Sequence, residues 1–162
     1  DKNHCINLFK SFIDSLNIKN RKCKIYILHN NLTENEIYNL YNHVDVLVSG
    51  SRAEGFGLTH LEASSLGLPI ISTGYSGYED FLKDKYLKID YDLVKVKNNS
   101  NIFEKKLSLW AEFKENDMKE NIKDVYNNFQ KYKAIAEDHK KTIKQNYNIQ
   151  SIINSYRSIA RV

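Results

Sequence analysis

Three features of this sequence predict an α/β domain: a parallel sheet with helices on both faces and a last third that is helical. Two apolar runs, Val44–Val48 (interrupted only by Asp45) and Ile70-Ile71-Ser72-Thr73, are short and continuous. That is the pattern of strands buried on both faces of a parallel sheet. Between them Leu58, Leu61 and Leu66 mark a helix, entered through the glycine-bracketed turn Glu54-Gly55-Phe56-Gly57 and closed by Gly67-Leu68 ahead of Pro69. A glycine at that closing position turns left-handed, and the leucine after it packs back. Beyond residue 102 apolar residues keep helical spacing almost to the end of the chain.

Taken in order, Ile6, Phe9, Phe12, Ile13 and Leu16 place an amphipathic helix over about residues 4–17, closed by the polar stretch Asn17–Lys22. Lys24–Leu28 (KIYIL) reads as a strand. Thr33-x-x-Glu36 is a capping box for a helix holding Ile37, Leu40 and Tyr41. The central strand–turn–helix–strand unit follows. Ser76 or Gly77 to Lys83 is a short helix, and Tyr86–Val96 is extended on either side of Asp90-Tyr91-Asp92. Ile102, Phe103, Leu107 and Trp110 share a helix face. Asp117-x-x-Glu120 caps a further helix with Met118, Ile122, Val125, Tyr126 and Phe129 on its buried side. Ile135, His139 and Ile143 continue the spacing, with His139 read as a packed or half-exposed helical histidine before a ligand. Ile152, Ile153, Tyr156, Ile159 and Ala160 form the final stripe. Strands Lys24–Leu28, Val44–Val48 and Pro69–Thr73 are expected to run parallel.

With 162 residues the chain has room for one domain and one substantial core. Its hydrophobic content, 41%, is that of a soluble globular protein, and no apolar run is long enough to cross a bilayer. The net charge of +4 comes from lysines interleaved with acids, a solvated surface rather than a nucleic-acid-binding face. Asp1-Lys2-Asn3-His4 has neither a signal-peptide pattern nor a starting Met, as expected of a fragment or a processed chain. Cys5 and Cys23 are too few for a zinc site or disulfide framework and read as reduced, partly buried thiols of a cytosolic protein. No cluster has metal-ligand spacing, and there is neither a Ser-His-Asp arrangement nor a Walker-type loop.

Ligands of open parallel sheets bind at the carboxyl ends of the strands, where a turn enters the following helix. Gly55 and Gly57 let the backbone approach a ligand, and the first helix amides, lacking internal acceptors, favour an anion such as phosphate. Glu54 before the helix and Glu62 inside it flank that position. Each also has a plainer reading. Glu54 can be an exposed turn residue, Gly55–Thr59 a simple tight turn, and Glu62 the partner of Thr59 in a capping box.

The spacing of Glu54 and Glu62, with Gly-Phe-Gly-Leu after the first and Glu-Ala at the second, resembles the E-x7-E signature of the retaining family-4 glycosyltransferases, which have the two-domain GT-B fold. Tyr38–Ser49, Ser51-Arg52-Ala53, Thr73-Gly74-Tyr75-Ser76-Gly77 with Asp80-Phe81, Leu87–Val96 and Trp110-Ala111-Glu112 extend the resemblance over most of the chain. It implies the Rossmann-like C-terminal half of a GT-B fold. Such a domain binds a nucleotide-diphosphate sugar and transfers the sugar to an acceptor hydroxyl with retention, using no cofactor and no metal. By the same resemblance Glu54 would stabilise positive charge at the anomeric carbon, and Glu62 would hold the ribose hydroxyls. Backbone amides of Gly55, Phe56, Gly57, Leu58 and Thr59 would meet the diphosphate or the sugar.

Lys2 matches the lysine that offsets the diphosphate in the family, or is a solvated terminal lysine. Arg52 is a phosphate contact or a surface residue, and Asp80 matches an acidic position whose register Glu79 leaves open. The implied partners are the nucleotide sugar, an acceptor glycan, lipid or protein, and an acceptor-binding N-terminal domain that, with the first strand, lies outside this chain. Peripheral membrane contact through that domain is compatible with the resemblance; nucleic acid is not implied, and the location is cytoplasmic. Two other functions stay open: a non-catalytic nucleotide-sugar-binding or interaction module, and a glycoside hydrolase using Glu54 and Glu62 as its carboxylate pair.

Overall fold

The computed structural model describes residues 2–19, 22–29, 31–96 and 108–160. The chain divides into two compact units, Asp1–Tyr38 and Asn39–Val162. In the first, helix α1 spans Lys2–Ser15. Lys24–Leu28 is not a strand: Tyr26 is 78% and Leu28 63% exposed. A strand is held by the ladder it shares with a neighbour, and the described residues of this unit contain no other strand to supply one. Cys5 and Cys23 are free and exposed rather than partly buried. The capping box at Thr33 forms as expected. The Thr33 N–H donates to Glu36 Oε2 (2.8 Å) and the Glu36 N–H to Thr33 Oγ1 (3.3 Å), opening helix α2 (Glu34–Asn42).

The second unit is organised on a parallel sheet of β1 (Leu47–Ser49), β2 (Ile70–Thr73) and β3 (Leu87–Ile89), in that order. Leu47 lies opposite Ile70, and Ile71 opposite Leu87. Helix α3 (Leu58–Leu66) links β1 to β2, and the short α4 (Glu79–Leu82) links β2 to β3. All four residues of β2 are buried, and successive side chains go to opposite faces. Ile70 packs with Ala63 of α3, with Leu68, Tyr78, Phe81 and Leu82, and with Ile143. Ile71 packs with Ile89 and Val125 on the other side. Helices therefore cover both faces, as the continuous apolar run requires. β1 departs from expectation: it starts at Leu47, and Val48 is 39% exposed, because β1 is an outer strand of the described sheet.

After β3 a second, antiparallel pair forms from β4 (Tyr91–Lys95) and β5 (Leu109–Phe113), followed by helices α5 (Glu115–Asn127), α6 (Phe129–Asn146) and α7 (Ile149–Ala160). Trp110 thus lies on a strand, not on a helix face; Ile102, Phe103 and Leu107 fall outside the described residues. Asp117 does not cap α5. The helix begins two residues earlier, and Asp117 Oδ2 instead accepts the Asp90 N–H (2.6 Å). The buried face of α5 is narrower than its apolar stripe, since Val125 is buried but Ile122 and Tyr126 are exposed. His139 is packed as expected, whereas Ile149, Tyr156 and Ile159 of the final stripe are exposed. Among the described residues no helix is long and apolar enough to cross a membrane.

Candidate functional site

β1 and β2 both end in loops that meet over the start of α3. Gly57, at φ 86°, is the residue before the helix and contributes no side-chain cap. A Cβ there would stand 2.9 Å from the ring of Tyr78, so glycine is required by conformation and by space. The Gly57 carbonyl accepts from both the His60 N–H (3.0 Å) and the Leu61 N–H (3.1 Å). None of the described hydrogen bonds uses the Leu58 or Thr59 N–H, so two amides at the positive end of the helix are left without a described acceptor. A Cβ on Gly55 would meet nothing within 4 Å. Phe56 pins the turn by packing its ring against Phe81 (5.3 Å between centroids) and Tyr147 (6.3 Å).

Glu54 is exposed but held at three atoms. Its N–H donates to Ser76 Oγ (2.8 Å), its carbonyl accepts from the Gly77 N–H (3.3 Å), and its Oε1 accepts from Ser51 Oγ (3.0 Å). The two loops touch backbone to backbone: a Cβ on Gly77 would fall 2.0 Å from the Gly55 carbonyl oxygen. Tyr78 anchors the second loop by donating to the Thr73 carbonyl (2.7 Å) and by stacking on His60 with centroids 4.0 Å apart. His60 is buried, and its Nε2 lies 2.9 Å from Ser72 Oγ while Nδ1 has no partner. Burial lowers its pKa, and the charge of Glu54 acts in the opposite direction.

Glu62 lies one turn into α3 and is exposed. It is not part of a capping box, because Thr59 already sits inside the helix. Instead Glu62 Oε2 accepts from Tyr41 Oη (3.1 Å), which also approaches the Thr59 carbonyl (3.4 Å). Burial first, and the Glu62 charge second, push the Tyr41 pKa up to about 12, so its hydroxyl stays a donor. A half-open hollow of about 270 Å³ adjoins Glu62, with Leu61, Ser65, Ile143, Lys144 and Tyr147 among its lining. The structure thus brings Glu54, Gly55, Phe56, Gly57, Leu58, Thr59 and Glu62 to one end of the sheet. The Lys2 side chain lies outside the described structure, so the role implied for it rests on sequence alone.

Arg52 is already engaged: its Nη2 is 2.9 Å from Glu112 Oε1, and its guanidinium lies 4.7 Å above the Trp110 ring. Asp80 is exposed, while Glu79 pairs with Lys88 (2.7 Å). Sequence reasoning missed Ser51, Ser76 and Tyr41 as supports of the two glutamates. The serines are short polar residues in loops, with no periodicity to single them out, and Tyr41 fits the apolar side of its helix equally well.

Parallel strands ending in glycine turns, with an uncapped helix start beside two carboxylates, define an α/β domain suited to an anionic, hydroxyl-rich ligand. The chain matches the family described as Glycosyl transferases group 1 over residues 9–142 and belongs to it. No curated protein matches the chain. It is a glycosyltransferase domain, and a nucleotide-sugar donor and an acceptor are the partners that follow.

Proposed function

We propose that the chain is the C-terminal, donor-binding half of a retaining GT-B glycosyltransferase of family 4, working with an acceptor-binding domain. The observation that carries this reading is the triple fixation of Glu54 at the mouth of the uncapped end of α3, with Glu62 one turn further on. The donor diphosphate meets the Leu58 and Thr59 amides and the helix dipole. Glu62 accepts hydrogen bonds from the ribose diol, its carboxylate oriented by Tyr41. As the bond from the anomeric carbon to the phosphate oxygen breaks, positive charge grows on the sugar, and Glu54 stabilises it. The acceptor hydroxyl attacks from the face the phosphate leaves and gives its proton to the departing phosphate oxygen. The products are the glycoside and the nucleoside diphosphate. The reading assigns no metal and no cofactor.

Donor-saturation kinetics on two variants of the complete enzyme test it. Glu54→Gln should lower kcat by about 10²-fold, the size of one electrostatic stabiliser of a transition state. Glu62→Gln should mainly raise the donor KM, because its ribose contacts exist before and during bond cleavage. Unchanged kcat in Glu54→Gln would remove Glu54 from the reaction. Free sugar as the main product, in place of glycoside, would favour a hydrolase. Residues 1–162 alone should transfer no sugar, and transfer by them would refute the need for a second domain.

A further inference from the structure

Ser76, in the loop between β2 and α4, has φ 110°, a conformation that side-chain-bearing residues adopt only under strain. Glycine stands on one side at Gly77 and two residues earlier at Gly74, yet neither has a positive φ; the strain falls on the serine. Ser76 Oγ is also the acceptor for the Glu54 N–H (2.8 Å), and its carbonyl accepts the Glu79 N–H (3.0 Å) that starts α4. Its neighbour Gly77 cannot take over the contact, because any side chain there would collide with the Gly55 carbonyl. A glycine at 76 would satisfy the backbone and lose the hydroxyl.

We infer that Ser76 is a positioning residue for Glu54: it keeps a strained backbone so that its hydroxyl can fix the Glu54 turn against the β2–α4 loop. The inference rests on the role proposed for Glu54. Strain retained where a glycine would relieve it marks a position where the side chain has a task beyond folding. The hydroxyl holds the main chain of Glu54, while Ser51 holds its carboxylate, so the two serines divide the work of aiming one side chain.

Ser76→Gly and Ser76→Ala in the complete enzyme test this, assayed by nucleoside diphosphate release from the UDP- or GDP-sugar that the wild type turns over fastest. Both variants lose the hydroxyl, but only Ser76→Gly loses the strain. The expected kcat falls by about 10- to 100-fold in both, as for a slightly misplaced group, with donor KM within about twofold of wild type. Melting temperature should rank Ser76→Gly above Ser76→Ala, the reverse of the usual order of glycine and alanine. In a Glu54→Gln background Ser76→Gly should have little further effect on kcat. A Ser76→Gly variant with kcat within twofold of wild type would overturn the inference, provided Glu54→Gln lowers kcat in the same assay. If Glu54→Gln is silent, or the wild type turns over none of these donors, the proposed function fails first and this inference with it.

Discussion

At its C-terminal end α3 finds partners for the Ala63, Ser64 and Leu66 carbonyls, among those that every helix leaves orphaned; at its N-terminal end it leaves two amides without a described partner. Gly67, at φ 74°, sends its N–H back to Ser64 O (3.1 Å), and the Leu68 N–H reaches Ala63 O (3.0 Å). Lys133 Nζ then donates to the Gly67 carbonyl (2.8 Å) and Lys140 Nζ to that of Leu66 (3.4 Å), bringing cations to the negative end of the helix. The other end has Gly57, no side-chain cap and two amides without a described acceptor. A glycine in place of a side-chain cap costs stability only slightly, by roughly a few tenths of a kcal/mol. One end of the same helix is finished for folding; the other keeps its electrostatic capacity for something that arrives later. The contrast lives in one nine-residue element, so neither propensity nor length explains it.

The two ends of α3 should respond very differently to the same substitution. Gly67→Ala puts a Cβ at positive φ, where its three nearest atoms all belong to the carboxylate of Glu137, the far end of a flexible side chain that can move. The expected cost is ~1–2 kcal/mol for the left-handed conformation. Gly57→Ala adds the same conformational cost, but its Cβ meets the Tyr78 ring, which is fixed by the Thr73 carbonyl and by His60. Overpacking against a rigid neighbour brings the total to roughly 2–5 kcal/mol. Urea unfolding of the two variants measures this directly. A Gly67→Ala variant as unstable as Gly57→Ala would mean that the two ends are equally plastic.

A pH titration comes next in size. Burial lowers the pKa of His60 beneath the open end and of His139 on α6. The Lys85 and Lys83 charges add to the effect at His139, while Asp84 and Asp138 oppose it; Glu54 opposes it at His60. In the unfolded chain each histidine binds its proton near the ordinary value of ~6.5, so below that pH the unfolded state holds more protons than the folded one. Stability should therefore be full above about pH 6.5 and fall as the pH drops through the window beneath it. The lowered carboxyl groups of Glu36, Asp84, Asp90, Asp124 and Glu137 add their own losses only nearer the carboxylate range, which leaves the first part of the fall to the histidines. His60→Asn should flatten part of it. A urea midpoint constant from pH 7.5 to 5.5 would contradict both assignments.

How far these features can be read in the sequence depends on how local their causes are. Gly67-Leu68-Pro69 announces the closed end of α3, because the Schellman turn needs only those residues and the helix before them. The β2 run is legible for the same reason, since burial on both faces leaves no polar alternation. KIYIL reads almost as well and forms no strand, because a strand depends on a partner that the run itself does not encode. Capping boxes show the same limit. Thr33-x-x-Glu36 closes on itself, but Thr59 lies inside its helix and Asp117 turns to a distant N–H, of Asp90. The glutamates of the site are visible in a motif. Their supports, Ser51, Ser76 and Tyr41, are not: two of these contacts cross between loops or elements some twenty residues apart.

A single variant can separate the two ends of α3, with a modest effect on stability. Lys133→Met with Lys140→Met removes both lysine contacts to the closing carbonyls while keeping most of the apolar length of the side chains. The backbone turn at Gly67 and Leu68 stays, so the helix still ends in the same place. What disappears is charge at the negative end of the dipole, together with the pairs from Glu137 to Lys133 (3.1 Å) and Lys140 (3.2 Å). Glu137 is partly exposed and can turn to solvent, so its loss of partners adds little. Helix-end interactions of this kind are each worth ~0.3–1 kcal/mol, and together the two changes should lower stability by about 1 kcal/mol. Dipole effects fade beyond the last turn, so the amides of Leu58 and Thr59 should not register the change. Donor KM and kcat should then match the wild type while the urea midpoint falls. A shifted donor KM in this double variant would mean that charge at the closed end is felt at the open one, and that the helix works as a single dipole rather than as two separately finished termini.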